Sequence, residues 1–265
     1  MHKLSLVLIT YNAGSQLTSC LASAHALADD IDIVVVDSGS NDDTVAIAER
    51  FSARVIHNEF IGFGPQKRLA VDLAKHDWVL CLDADEQLTP ELVDAIRREL
   101  AAPTCSAYRI ARRNRFLGRY LRHGEGYPDF NIRLFDRRHA HWSEDKVHEH
   151  VVAECATGVL QGDLLHDSAE SLANYLAKQN RYTDIQAAAM QHAGTPPQPW
   201  KLLTSPLARF IRFYIFRSGW RDGAAGFAHI AIGCFFSFVK YAKVIELQRA
   251  RPPNAAAHTS TGETS

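Results

Sequence analysis

Two hydrophobic periodicities alternate along the first hundred residues. Continuous apolar runs over Leu4–Ile9 and Ile31–Val36, and a third opening at Trp78, have the length and β-branched content of strands buried on both faces. Between them lie stretches of helical spacing, from Ser15 to about Ala28, Val45 to about Phe51, about Gln66 to Lys75, and Glu91 to Leu100. Arg54–His57 reads as a short strand and Gly62–Pro65 as a loop. Strands alternating with helices predict right-handed crossovers and an α/β fold, a mostly parallel sheet flanked by helices on both faces.

The pattern then changes. Strands are predicted over Ala107–Ala111, Ile132–Phe135 and Leu160–His166, followed by a helix over Leu172–His192 that ends at Gly194. Pro196-Pro197-Gln198-Pro199 reads as a linker. Beyond it, residues 200–247 mix eleven aromatic side chains with Lys201, Arg209, Arg212, Arg217, Arg221, Lys240 and Lys243. The apolar stretch Ala224–Val239 is broken by His229 and is shorter than the ~20 residues a spanning helix needs. Helices of this composition suit a membrane interface, with a helical lid on the core as the other reading. Residues 251–265, rich in Ala, Thr and Ser, are expected to be disordered. The expected division is therefore a catalytic domain over 1–195, a helical interface region over 196–250, and a tail.

Composition excludes some classes. With 46% hydrophobic and 22% charged residues the chain is ordinary and globular, and a net charge of −1 gives no reason to expect nucleic acid. Five scattered cysteines, without metal-ligand spacing, point to a reduced setting. Lys3 and the short apolar run after it read as a first strand rather than a leader.

The candidate chemistry sits where strand-forming residues run into acids, Trp78-Val79-Leu80-Cys81-Leu82-Asp83-Ala84-Asp85-Glu86. Asp83 and Asp85 are two apart, so in extended chain their carboxylates share one side and repel unless a cation intervenes. Mg2+ or Mn2+ is the simplest such cation, able to bridge a carboxylate to a substrate diphosphate. Between residues 109 and 138, nine arginines face three acids. Arginine recognises phosphates and carboxylates bidentately, so Arg113, Arg115, Arg122 and Arg133, with His123, are candidates for binding an anionic acceptor.

Taken in order, LSLVLITYN, VVVDSGSNDDT, GFGPQKRLA and WVLCLDADE resemble family 2 glycosyltransferases of the GT-A fold, a Rossmann-like architecture. YPD at 127–129, RLF at 133–135, VHE at 147–149 and the aromatic-basic tail are similar to bacterial lipopolysaccharide core glucosyltransferases that build on an inner-core heptose. The resemblance covers about residues 3–247. It implies an inverting transfer of a hexose, glucose from UDP-glucose, to a lipid-linked oligosaccharide at the cytoplasmic face of an inner membrane, with peripheral attachment. It also implies nucleotide-sugar contacts from Thr10, Tyr11, Asp37, Lys67 and Asp83. The metal set would be Asp83, Asp85 and His166. The general base would be Glu149 or Asp129, with His148 able to orient Glu149. A polyprenyl-phosphate sugar synthase and a catalytically silent sugar-nucleotide-binding scaffold are the competing readings.

Overall fold

The computed structural model describes residues 2–145, 149–168, 171–194, 196 and 198–249. The expected tail and His148 lie outside them. The described residues of Met1–Arg115 and Gly126–Ser168 form one compact unit, and those of Phe116–Glu125 and Ala169–Ser265 form a second.

The first unit is the predicted α/β fold. Its elements run β1 (Leu4–Thr10), α1 (Gly14–His25), β2 (Asp32–Asp37), α2 (Thr44–Arg50), β3 (Arg54–His57), α3 (Phe63–Asp72), β4 (Trp78–Asp83), β5 (Glu86–Leu88), α4 (Pro90–Ala101) and β6 (Ala107–Phe116). After β7 (Arg119–Tyr120), which lies in the second unit, follow β8 (Asp129–Asp136), β9 (Ala140–Trp142), β10 (Val151–Ala153) and β11 (Gly158–His166). The main sheet has the order β3-β2-β1-β4-β8-β6-β11-β5. β1 pairs parallel with β2 and β4, β2 with β3, and β6 with β11, while β8 and β5 run antiparallel to their neighbours.

The apolar runs do what their patterning requires. Leu6, Leu8, Val35, Leu80 and Leu82 face one side and pack with Leu17, Leu21, Leu92 and Ile96 from helices; Val7, Val34, Val36, Val79 and Cys81 face the other with Ala70, Val71 and Trp142. Two layers on one sheet explain the continuous rather than alternating runs. α4 starts cleanly because the Thr89 hydroxyl accepts from the Leu92 amide and Pro90 occupies the first turn.

Three local readings change. β6 continues five residues past Ala111, because the arginines beyond it pair with acids on neighbouring strands. Glu86–Leu88 forms a strand too short for its pattern to declare. The Gly62–Pro65 loop is largely helix: α3 begins at Phe63, and Gly64 permits it. A Cβ there would lie 2.3 Å from the Ser143 carbonyl and 2.5 Å from that of Asp145.

The second unit is helical: α5 (Leu172–His192), α6 (Lys201–Phe210), a π-helical turn over Ile211–Phe216, a 3-10 turn over Gly219–Asp222, and α7 (Gly223–Arg249). α5, expected in the catalytic domain, groups here, since Lys243 of α7 donates to Asn180 Oδ1 at 2.8 Å and Thr183 Oγ1 at 2.9 Å. Among the described residues no helix is long and apolar enough to cross a membrane.

Candidate active site

Parallel register brings the carboxyl ends of the strands to one edge. Thr10 stands opposite Asp37, Ile9 opposite Asp83, and Asp37 opposite His57. β6 and β11 pair Asn114 with His166, and β5 returns so that Glu86 stands opposite His166. Open α/β sheets bind ligands along this edge.

Asp37 organises the turn after β2. Its carboxylate accepts from Thr10 Oγ1 at 2.8 Å, from the amides of Gly39 at 3.0 Å and Ser40 at 2.8 Å, and from the Ser40 hydroxyl. Burial alone would raise its pKa, but the bonds from Ser40, Thr10 and Gly39 outweigh it and hold the acid below the usual range. A carboxylate has about four acceptor positions, and all are used here. Asp37 and Thr10, both expected at the nucleotide, are bonded to each other and shape this turn. Tyr11, 65% exposed, is the open group of this turn.

The D-x-D carboxylates do not act as a pair. Asp83 Oδ1 lies 2.9 Å from Lys67 Nζ, and Oδ2 lies 2.7 Å from Arg133 Nη2. Burial would raise the Asp83 pKa; the Arg133 and Lys67 charges overcome it and hold the carboxyl well below its usual range. Arg133 Nη2 also reaches Glu86 Oε1 at 2.7 Å, and Lys67 Nζ reaches Glu149 Oε1 at 2.9 Å. Glu86 is wholly buried, and burial pushes its pKa up despite Arg133. Arg112 extends the line, 3.9 Å from Glu86 and 2.8 Å from Asp129 Oδ2. The result is an alternating chain of charge, Glu149–Lys67–Asp83–Arg133–Glu86–Arg112–Asp129. The two candidate bases stand at its two ends.

Arg133, expected at an acceptor, is 4% exposed and pairs with both Asp83 and Glu86. Of the expected metal ligands, Asp83 lies between Lys67 and Arg133, and among the described residues no cluster of three such ligands forms. Asp85 and His166 do come together. His166 Nε2 lies 3.2 Å from Asp85 Oδ2, and Asp85 Oδ1 is buried without a hydrogen-bond partner. His166 Nδ1 lies 2.7 Å from Asn114 Oδ1, so Nδ1–H donates to the amide oxygen and Nε2 is the ring nitrogen turned to Asp85. A carboxylate and an imidazole nitrogen brought together beside an orphan oxygen are groups of the kind that ligate a divalent cation.

The other arginines divide. Arg113 pairs with Asp163, which also accepts from the Tyr127 hydroxyl at 2.7 Å, and Arg115 pairs with Asp167. Both are committed to acids of the same unit, which reduces what they offer an acceptor. Arg122 and His123 belong to the second unit. Glu86, Asn114 and Asp163 went unread in the sequence. Only Glu86, adjoining the D-x-D, carried a local signal.

The Glycosyl transferase family 2 model matches residues 5–161, more than half of the chain. The chain belongs to this family. A lipopolysaccharide core biosynthesis glycosyltransferase, LpsC of Rhizobium meliloti, is 31% identical over 260 residues, spanning 94% of this chain and 95% of its own. An uncharacterized glycosyltransferase of Rickettsia felis is 30% identical, spanning 93% and 90%. Among solved structures, S. aureus TarS 1-349 in complex with UDP-GlcNAc superposes with a TM-score of 0.51 at 16% identity, covering 90% of this chain and 81% of that one. That likeness is one of fold. The matched family segment contains every charge in the chain from Glu149 to Asp129, and the expectation of a family 2 glycosyltransferase with an α/β sheet of GT-A type holds.

Proposed function

We propose that the chain is an inverting hexosyltransferase that moves glucose from UDP-glucose to a heptose of the lipopolysaccharide inner core. The carrying observation is the placement of Glu149 2.9 Å from Lys67, itself 2.9 Å from Asp83, at the edge where a sheet of this kind binds its ligand. The relative's printed role in lipopolysaccharide core biosynthesis, over nearly the full length of both chains, supports the acceptor class.

Glu149 takes the proton from the acceptor hydroxyl, whose oxygen attacks the anomeric carbon as the nucleoside diphosphate leaves from the opposite face. Lys67 is the cation nearest that base, and its charge serves the departing diphosphate. Asp83 and Arg133 fix Lys67 in place. Asp85 and His166 would hold Mg2+ or Mn2+, which supplies Lewis-acid stabilisation of the leaving group when bound. Tyr11 lines the nucleotide side. The exposed aromatic and basic residues of the helical unit set the enzyme peripherally on the inner-membrane surface, facing a lipid-linked acceptor.

The test is release of UDP from UDP-glucose with purified core glycolipid, before and after exhaustive EDTA treatment. Transfer to the glycolipid, lost with EDTA and restored by Mg2+ or Mn2+, is the expected result. Transfer to polyprenyl phosphate alone would move the acceptor to the competing class, and no turnover with any donor would leave a binding protein.

A further inference from the structure

Residues 116–125 include the last residue of β6 and the short strand β7, yet they belong to the helical unit. Asp222, 1% exposed at the end of the 3-10 turn before α7, holds them there. Its Oδ2 accepts the amide N–H groups of Arg122 and His123, each at 2.8 Å, and its Oδ1 lies 3.2 Å from His123 Nδ1. The Gly124 amide donates to the Arg217 carbonyl at 2.9 Å, and Glu125 pairs with Arg209 of α6. Gly124 is required at this seam: its φ is +72°, and a Cβ would lie 3.2 Å from the Gly219 Cα. A carboxylate buried to this extent persists because charge and hydrogen bonds compensate its lost hydration. The backbone of Arg122 is thereby fixed while its side chain remains exposed.

We propose, building on the transferase reading above, that the helical unit is what reads the acceptor, with Asp222 as a positioning residue that presents Arg122 to phosphate or carboxylate groups of an anionic saccharide. Arginine held on a fixed backbone recognises such groups at low entropic cost. The helices that carry the aromatic and basic surface also carry this loop, so surface attachment and acceptor recognition reside in one folded unit.

The experiment measures calorimetric binding of delipidated, phosphorylated inner-core oligosaccharide to the full-length protein, which needs no turnover. Asp222→Ala and Arg122→Gln are each expected to weaken binding about tenfold, the scale of one charge-assisted bond. Donor binding should stay within about twofold. In Asp222→Ala, limited trypsin digestion should newly cut after Arg122. Stripping the saccharide of phosphate and carboxyl groups should erase the difference between wild type and Arg122→Gln. Unchanged saccharide affinity in Arg122→Gln, a surface substitution that decides the matter even if Asp222→Ala does not fold, overturns the proposal. So does a trypsin-resistant Asp222→Ala, or a wild type that does not bind the saccharide. A wild type that binds it but transfers no sugar sinks the transferase reading and leaves this one standing.

Discussion

At the scale of single residues, Arg133 governs the site. One of its nitrogens serves two acids, the half-buried Asp83 and the fully buried Glu86, each at 2.7 Å. Burial would lower the Arg133 pKa, but the charges of Asp83 and Glu86 raise it further, so the guanidinium stays charged. Arg133→Met fills similar volume and leaves, as cations, only Lys67 for Asp83 and only the Arg112 guanidinium, at 3.9 Å, for the buried Glu86. Breaking a buried pair from one side costs about 3–5 kcal/mol, and urea unfolding of this variant should show a loss of that order. A loss below about 1 kcal/mol would mean that water replaces the guanidinium. The two candidate bases separate on rate. Glu149→Gln should slow transfer ~10²–10⁴-fold with donor affinity unchanged, and Asp129→Asn should do far less. The reverse ranking in single-turnover assays would hand the proton to Asp129.

At the scale of elements, α7 carries a half-buried histidine that its apolar run disguises. His229 packs against the rings of Phe116 and Tyr175 and lies within the field of Arg209; its Nδ1 is buried without a hydrogen-bond partner. Burial first, and the Arg209 charge second, lower its pKa from 6.5 to about 4. The sign follows directly. Between those values the unfolded chain binds a proton that the folded chain refuses, so stability contributed above pH 6.5 is lost progressively as pH falls through this window. His229→Phe should flatten the fall of unfolding free energy between pH 6.5 and 4.5 by about 1–3 kcal/mol, read from urea titrations at each pH. An identical pH slope in the variant would show that other groups set the acid limit. The broken apolar run, which argued against a spanning helix, thus also marks a packing site.

At the scale of the whole molecule, the helical unit leaves an unusual surface. Leu203 is 78% exposed, Phe216 79%, and Trp200, Leu207, Trp220 and Phe235 each 58–60%. Residues 198–249 hold eight Lys or Arg against two acids, Asp222 and Glu246. Apolar rings among cations gain from a bilayer interface, and each cation near an anionic surface adds ~1 kcal/mol that salt screens. The protein should therefore sediment with anionic vesicles at low salt and far less with neutral ones, and Leu203→Glu with Phe216→Glu should abolish it. Sedimentation that ignores lipid charge and survives both substitutions would assign the surface to another role. Truncation at the proline linker is a poorer probe, because it would strip α5 of its Lys243 contacts and the 116–125 segment of Asp222.

The sequence by itself determined the sheet, the order of its first four strands and helices, and the presence of an acidic edge, because these follow from local periodicity and short motifs. It also marked Lys67, Asp83, Asp85, Glu149 and His166 as residues of one family's site. Only the tertiary structure decided which charges meet. Lys67 joins Asp83 to Glu149, which lies 82 residues beyond the lysine, and Arg133 comes beneath Asp83 from an antiparallel strand 50 residues on. Pattern along a chain carries no information about such pairings, so Arg133 read as one more arginine in a basic run. Asn114 and Asp222 were silent for the same reason: each is an ordinary polar residue until the fold places His166 against one and the Arg122–His123 backbone against the other.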